Sequence, residues 1–78
     1  MKSPHHVEEG QLAALAKKYR EAAGRSRAEA AREMGIKQPS IHHAEESPEK
    51  SFTKLRCRMI EAYSGLKVSG PFFRIEEK

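Results

Sequence analysis

Apolar side chains recur every three or four residues in four separate stretches of the chain. This spacing places them on one face of a helix, so the sequence predicts a mainly α-helical fold with four helices over residues 9–65. A glycine or a Ser-Pro pair follows each stretch and is expected to end its helix. The predicted helices cover residues 11–23, 27–34, 38–46 and 52–63.

The second and third of these helices have recognisable boundary residues. Ser26 and Glu29 have the spacing of a capping box, in which each side chain bonds the other residue's backbone N–H at a helix start. Gly35 ends the second helix, since glycine adopts a positive φ at no steric cost. Pro39 lies in the first turn of the third helix, where a missing N–H is tolerated. The sequence therefore predicts two short helices joined by a tight turn.

The end of the chain, residues 66–78, predicts a short C-terminal strand or hairpin. Its residues alternate over 66–68 and are aromatic and β-branched over 72–75, with a Ser-Gly-Pro turn between. A lone strand cannot satisfy its backbone, so this tail must pair within the chain or with a second chain. The small core favours pairing across a dimer. The predicted dimer interface consists of Phe72, Phe73 and Ile75.

Three positions between residues 26 and 46 restrict the fold further. Ala31 is small enough to let two helices cross closely, Gly35 supplies the turn, and Ile41 packs the third helix onto the core. Together they indicate a helix-turn-helix over residues 26–46. The stretch Ser26–Ile41 resembles the lambda-repressor-like, or XRE/Cro-type, helix-turn-helix family of DNA-binding proteins. The resemblance extends over residues 11–63.

The resemblance implies roles for individual residues. An arginine of the first helix commonly pairs with a glutamate of the third in this family, which here implies an ion pair between Arg20 and Glu45. The family reads base edges with the start and exposed face of its third helix. The positions that match are Gln38, Pro39, Ser40, His42 and His43.

The charge distribution favours the same kind of partner. The chain has a formal net charge of +4, and residues 11–60 contain eleven Lys or Arg against six Glu. A basic central region attracts a polyanion such as double-stranded DNA. Arg27 at the start of the second helix is predicted to clamp a backbone phosphate. Further candidates for phosphate contacts are Lys37, Lys50 and Lys54.

Other classes of protein receive little support from the sequence. Cys57 is the only cysteine, and no cluster of ligands or nucleophile with a base indicates a metal, a cofactor or an enzyme. No apolar run is long enough to span a bilayer. Residues 1–8 are polar, lack the apolar segment of a signal peptide and are predicted to form a flexible arm. A cytoplasmic protein is expected.

Two functions are compatible with these patterns. The first is a transcriptional regulator that binds a palindromic operator as a homodimer, with residues 9–65 as the DNA-binding domain and residues 66–78 as the dimerisation element. The alternative is an antitoxin or adaptor module that binds a toxin or co-regulator through its C-terminal tail by strand addition. The two functions can coexist in one protein.

Overall fold

The computed structural model describes the backbone of residues 5–6, 9–69 and 74–77, and the side chains of residues 11–68. The prediction of a mainly helical chain with four helices is confirmed. The helices are α1 (Glu9–Ala22), α2 (Arg27–Met34), α3 (Gln38–Glu46) and α4 (Thr53–Ser64). The strands are β1 (His5–His6), β2 (Leu66–Ser69) and β3 (Arg74–Glu77).

The local signals at α2 act as the sequence predicts. Ser26 Oγ accepts a hydrogen bond from the backbone N–H of Glu29 at 3.1 Å, and Glu29 Oε1 accepts from the backbone N–H of Ser26 at 2.9 Å. These bonds satisfy two donors that a helix start leaves free. Gly35 ends α2 with a φ of 72°, and the N–H of Ile36 bonds the carbonyl of Ala31 at 2.9 Å. The chain therefore turns sharply from α2 into α3.

The core lies where all four helices meet. Leu12, Ile41, Met59 and Ile60 are fully buried, one or two from each of α1, α3 and α4. Alanines in the same cluster let the helices approach closely. None of the helices that the structure describes is long and apolar enough to cross a membrane. The remaining members of the core cluster are Ala16, Ala30, Ala31 and Met34.

A buried arginine joins α4 to the end of α3. The side chain of Arg56 is fully buried. Its Nε and Nη2 donate to the carbonyl oxygens of Ala44 and Ser47, both at 2.8 Å. These carbonyls belong to the end of α3, where a cation is favoured by the helix dipole and by the unpaired acceptors. Arg56 thus holds the end of α3 in place.

The tail forms a sheet within the chain. Strand β3 lies between the other two strands and is antiparallel to both. Val68 of β2 and His5 of β1 both face Ile75 of β3. Of the two pairings left open by the sequence, the intrachain one is therefore observed: β2 pairs with all four residues of β3, and β1 pairs with Arg74 and Ile75.

Strand β1 differs from the flexible arm predicted over residues 1–8. His5 and His6 pair with β3 because an unpaired side of β3 would leave backbone groups unsatisfied. The strands give no information on the predicted dimer interface. Phe72 and Phe73 lie outside the described residues, and only the backbone of Ile75 is described. The dimer stays a prediction.

Side chains of α4 cover the outer edge of β2. The backbone N–H of Leu66 donates to Ser64 Oγ at 3.0 Å, and that of Val68 donates to Glu61 Oε2 at 2.9 Å. Alternate residues of a strand direct their N–H groups to the same edge, so both donors lie on the side away from β3. The outer edge of β2 therefore offers neither of these donors to another strand.

Candidate nucleic-acid interface

The exposed face of α3 brings together three of the predicted base-reading residues. Gln38, Pro39 and His42 are exposed, whereas Ile41, the residue directly before His42, is fully buried. Residues 38 and 42 are four apart and lie one above the other on a helix. With Arg27 of α2, the three exposed residues line an open hollow of about 430 Å³.

The other two predicted base readers are placed differently. Ser40 and His43 are half-buried. The ring of His43 stacks on Phe52, with ring centres 6.3 Å apart and planes 16° apart, and its Nδ1 is buried. Since residues 42 and 43 point about 100° apart on a helix, only one of them shares the face of Gln38. Helical spacing assigns His42 to that face, whereas the burial of His43 against Phe52 depends on the position of α4.

One buried carboxylate connects three helices below this face. The Glu45 side chain is fully buried and accepts hydrogen bonds from Arg20 Nε at 2.5 Å and from Arg20 Nη2 at 3.0 Å. The structure thus places the two residues of the implied ion pair in contact. Glu45 also accepts from Arg27 Nε at 3.0 Å, so α1, α2 and α3 all contribute to the network. Hydrogen bonding to Glu45 raises the pKa of Arg20, which stays charged.

Arg27, the predicted phosphate clamp, has several partners on α3. Besides Glu45, its Nη2 donates to Glu46 Oε2 at 2.6 Å, and its Nη1 lies 3.1 Å from His42 Nδ1. The Arg27 side chain is 28 % exposed, so its guanidinium lies at the boundary between the buried network and solvent. A guanidinium has five N–H donors, and these three contacts leave one on each Nη atom.

Glu46 is a member of this surface that the sequence did not single out. It accepts from Lys17 Nζ at 2.9 Å as well as from Arg27, and the hydrogen bond and charge of Lys17 lower the pKa of Glu46. Its position four residues after His42 was a sequence signal, because that spacing puts both on one face of a helix. The two cations balance its negative charge, so the exposed face of α3 is not acidic.

Three predicted phosphate-binding lysines lie around the same helix. Lys37 precedes α3, Lys50 lies in the connection to α4, and Lys54 lies in the first turn of α4. All three are exposed, and their ammonium groups make no ion pair with the residues described. They are free to contact an anionic partner.

The described residues also include a cysteine, which could act as a nucleophile, and side chains of the types that bind metals. Cys57 is half-buried, and burial together with the charge of Glu61 raises its pKa, which keeps the thiol protonated and a poor nucleophile. Over the described part of the chain, no three His, Cys, Asp or Glu side chains lie close enough to hold a metal ion.

Comparison with known proteins leaves the chain without a family assignment. No family model matches it, and neither a curated protein nor a solved structure does. Any function must therefore be argued from the geometry of its own residues.

Proposed function

We propose that the chain is a sequence-specific DNA-binding protein in which α2, the turn at Gly35 and α3 act as a helix-turn-helix. The observation that carries the proposal is the exposed face of α3. There the side chains of Gln38 and His42 project from one face of a helix whose opposite face is fixed to the core by Ile41. An α-helix fits the major groove, and a glutamine amide can pair in bidentate fashion with adenine.

The fold around α3 supports this proposal. A tight turn with a left-handed glycine separates α2 from α3, Ala31 is buried, and a buried glutamate ties α3 to α1 and α2. These features agree with the lambda-repressor-like arrangement that the sequence resembles. A reading helix held by three neighbours loses little conformational freedom on binding, which favours affinity.

Phosphate contacts are assigned to the three exposed lysines. Phosphate contacts set the position of a protein on the duplex, and each neutralised phosphate steepens the salt dependence of binding. Their location before α3, after α3 and at the start of α4 places positive charge on both sides of the proposed reading helix. The lysines are Lys37, Lys50 and Lys54.

The proposed unit of action is a homodimer that regulates transcription from a palindromic site. One α3 covers only a few base pairs, so two copies about one helical turn of DNA apart supply the length of sequence that an operator needs. A two-fold protein then requires a site whose halves are inverted copies.

Selection from random-sequence DNA, followed by fluorescence anisotropy at several salt concentrations, tests the proposal. We expect one enriched sequence and an affinity that falls steeply as salt rises. A flat salt dependence with no enriched sequence would refute it.

Two substitutions separate the proposed roles in that assay. Lys54→Ala should weaken binding to every sequence alike and lower the salt slope by about one. Gln38→Ala should instead relax the preference at one base pair. Lys18→Ala is the control of equal charge, since Lys18 is exposed and lies two residues, or about 160° around α1, from the arginine that contacts α3. It should change neither quantity appreciably.

Strand addition to a protein partner receives less support. A partner strand at the outer edge of β2 would need the N–H groups of Leu66 and Val68, and both already donate to α4 side chains. Strand β3 is the middle strand of the sheet and therefore not an edge strand. A pull-down that depends on residues 66–78, from a chain without DNA affinity, would favour that alternative over DNA binding.

A further inference from the structure

The contact between Arg27 and His42 determines which ring nitrogen carries the proton. Arg27 Nη1 lies 3.1 Å from His42 Nδ1. A guanidinium has only N–H donors and no acceptor, so His42 Nδ1 must accept in this contact. The proton of the neutral imidazole then lies on Nε2. The ring therefore has one remaining polar group, which is a hydrogen-bond donor.

The arginine that makes this contact is itself held. Arg27 Nε donates to the buried carboxylate of Glu45 at 3.0 Å, and Nη2 donates to Glu46 at 2.6 Å. The guanidinium is thus fixed by three separate partners before any ligand arrives. His42 is exposed, and its Nε2 has no hydrogen-bond partner among the described residues. The donor is oriented by the protein and free to bind.

We propose that Arg27 is a positioning residue that presents the His42 Nε2–H donor to a guanine in the major groove. The inference rests on the proposed DNA binding and names the base that this position reads. Guanine offers two adjacent acceptors there, N7 and O6, whereas adenine has a donor beside its N7. The positive charge of Arg27 and its two unused N–H groups also favour the edge with more acceptors.

The position of this guanine relative to the base read by Gln38 follows from helix geometry. Residues 38 and 42 are separated by one helical turn, or about 6 Å along the axis. Successive base pairs are about 3.4 Å apart. The guanine should therefore lie within about two base pairs of the position at which Gln38→Ala relaxes the preference.

This role for Arg27 differs from a phosphate clamp in a measurable way. A phosphate contact carries no sequence information, so its loss weakens binding to all sequences by the same factor. A residue that orients His42 changes instead the ratio of affinities for guanine and for other bases at one position. The two roles are distinguished by that ratio.

The first test needs no DNA. Long-range ¹H–¹⁵N correlation spectra of the full chain report which imidazole nitrogen is protonated. We expect His42 with an unprotonated Nδ1 and a protonated Nε2, and a shift of its Nδ1 signal in Arg27→Met. A proton on Nδ1 in the free protein, or signals unchanged by Arg27→Met, would overturn the inference whether or not the chain binds DNA.

The second test is a double-mutant cycle on the selected DNA sequence, with each base in turn at the His42 position. The wild-type chain should prefer guanine about tenfold, and His42→Ala should abolish the preference. Arg27→Met should lose the same preference, and the double variant should lose no more. Thermal unfolding of each variant establishes that it is folded at the assay temperature; His42→Ala changes an exposed side chain and keeps the test valid if Arg27→Met unfolds.

Matched controls separate the contact from general electrostatics. Glu46→Gln removes the charge of one partner of Arg27 but leaves the contact between Arg27 and His42, so it should keep the preference for guanine. Replacing the guanine by 7-deazaguanine should weaken binding of the wild type but not of His42→Ala. A neutral methylphosphonate in place of the phosphate next to that guanine should instead affect both proteins alike. An unchanged guanine preference in Arg27→Met, or its loss in Glu46→Gln, would overturn the inference. Absence of any selected DNA sequence would instead refute the proposed function.

Discussion

The outer face of α3 and the outer edge of β2 differ in whether their polar groups are hydrogen-bonded within the chain. On α3, the amide of Gln38 and the Nε2 of His42 project into solvent without partners among the described residues. On β2, the outward N–H groups of Leu66 and Val68 are both bonded by side chains of α4. The first surface presents unbonded side-chain groups to a polar ligand, and at the second the two outward N–H groups are already bonded.

The difference has a physical basis. An exposed side chain is solvated by water and costs the fold little, whereas an exposed strand edge is a template for pairing with any other strand. Glu61 and Ser64 accept hydrogen bonds from two backbone N–H groups at that edge, so these donors are not available to another strand. The comparison favours α3 over the edge of β2 as the surface for the proposed DNA contact.

Loss of the buried carboxylate beneath α3 should destabilise the protein most. Glu45→Ala removes the acceptor of three N–H groups from two arginines, and Arg20 is only 8 % exposed. Breaking a buried ion pair by removing one partner costs about 3–5 kcal/mol. Urea unfolding should show a large fall in the midpoint. Glu46→Ala, next to it but exposed, is the control and should change the midpoint much less; equal effects would contradict the prediction.

Removing a cap from the edge of β2 should have a smaller effect on stability and a distinct effect on association. Glu61→Ala leaves the Val68 N–H without its acceptor, which should cost about 1 kcal/mol. The exposed edge should also promote association, measured by sedimentation as a function of concentration. Glu61→Gln keeps a carbonyl acceptor and should behave like the wild type. If Glu61→Ala stays as stable and as monodisperse as Glu61→Gln, the edge is not protected by this bond.

A tyrosine joins α4, which carries the groups that cover β2, to α2, which precedes α3, and its titration should have the smallest effect. Tyr63 of α4 donates its hydroxyl to Glu33 of α2 at 2.5 Å. Burial and this hydrogen bond raise the pKa of Tyr63 from 10.0 to about 12. The bond therefore contributes stability in full below pH 10 and loses it as the pH rises towards 12.

Ultraviolet absorbance of tyrosinate measures this directly. A tyrosinate transition near pH 12 is expected in the wild type, and Tyr63→Phe should remove it together with part of the alkaline loss of stability. If Tyr63→Phe leaves the absorbance near pH 12 unchanged, α2 and α4 are not coupled by this bond.

Much of the fold follows from local sequence. The four helices, the capping box of Ser26 and Glu29 and the turn at Gly35 were predicted within a few residues, because their signals act over one or two turns of chain. Strand β1 was not predicted. Two histidines give no strand signal of their own, and only the free side of β3 explains why they pair there.

Some features of the candidate site also follow from local sequence, and others depend on contacts between helices. Helical spacing sufficed to group Gln38 with His42, but the burial of His43 against Phe52 required the position of α4. Spacing likewise could not show that Arg56 is buried. An arginine can be buried only where hydrogen-bond acceptors are available to it. For Arg56 these are carbonyl groups at the end of another helix, α3.

The sequence by itself determined, within a few residues, where the helices begin and end, and it placed Gln38 and His42 on one face of α3, since both depend on neighbours a few residues away. Only the tertiary structure decided which residues Arg27 contacts. Its three partners lie 15 to 19 residues along the chain, on a helix whose distance from α2 is set by packing. Contacts between helices depend on their rotation and separation, and the core that sets these belongs to the whole chain.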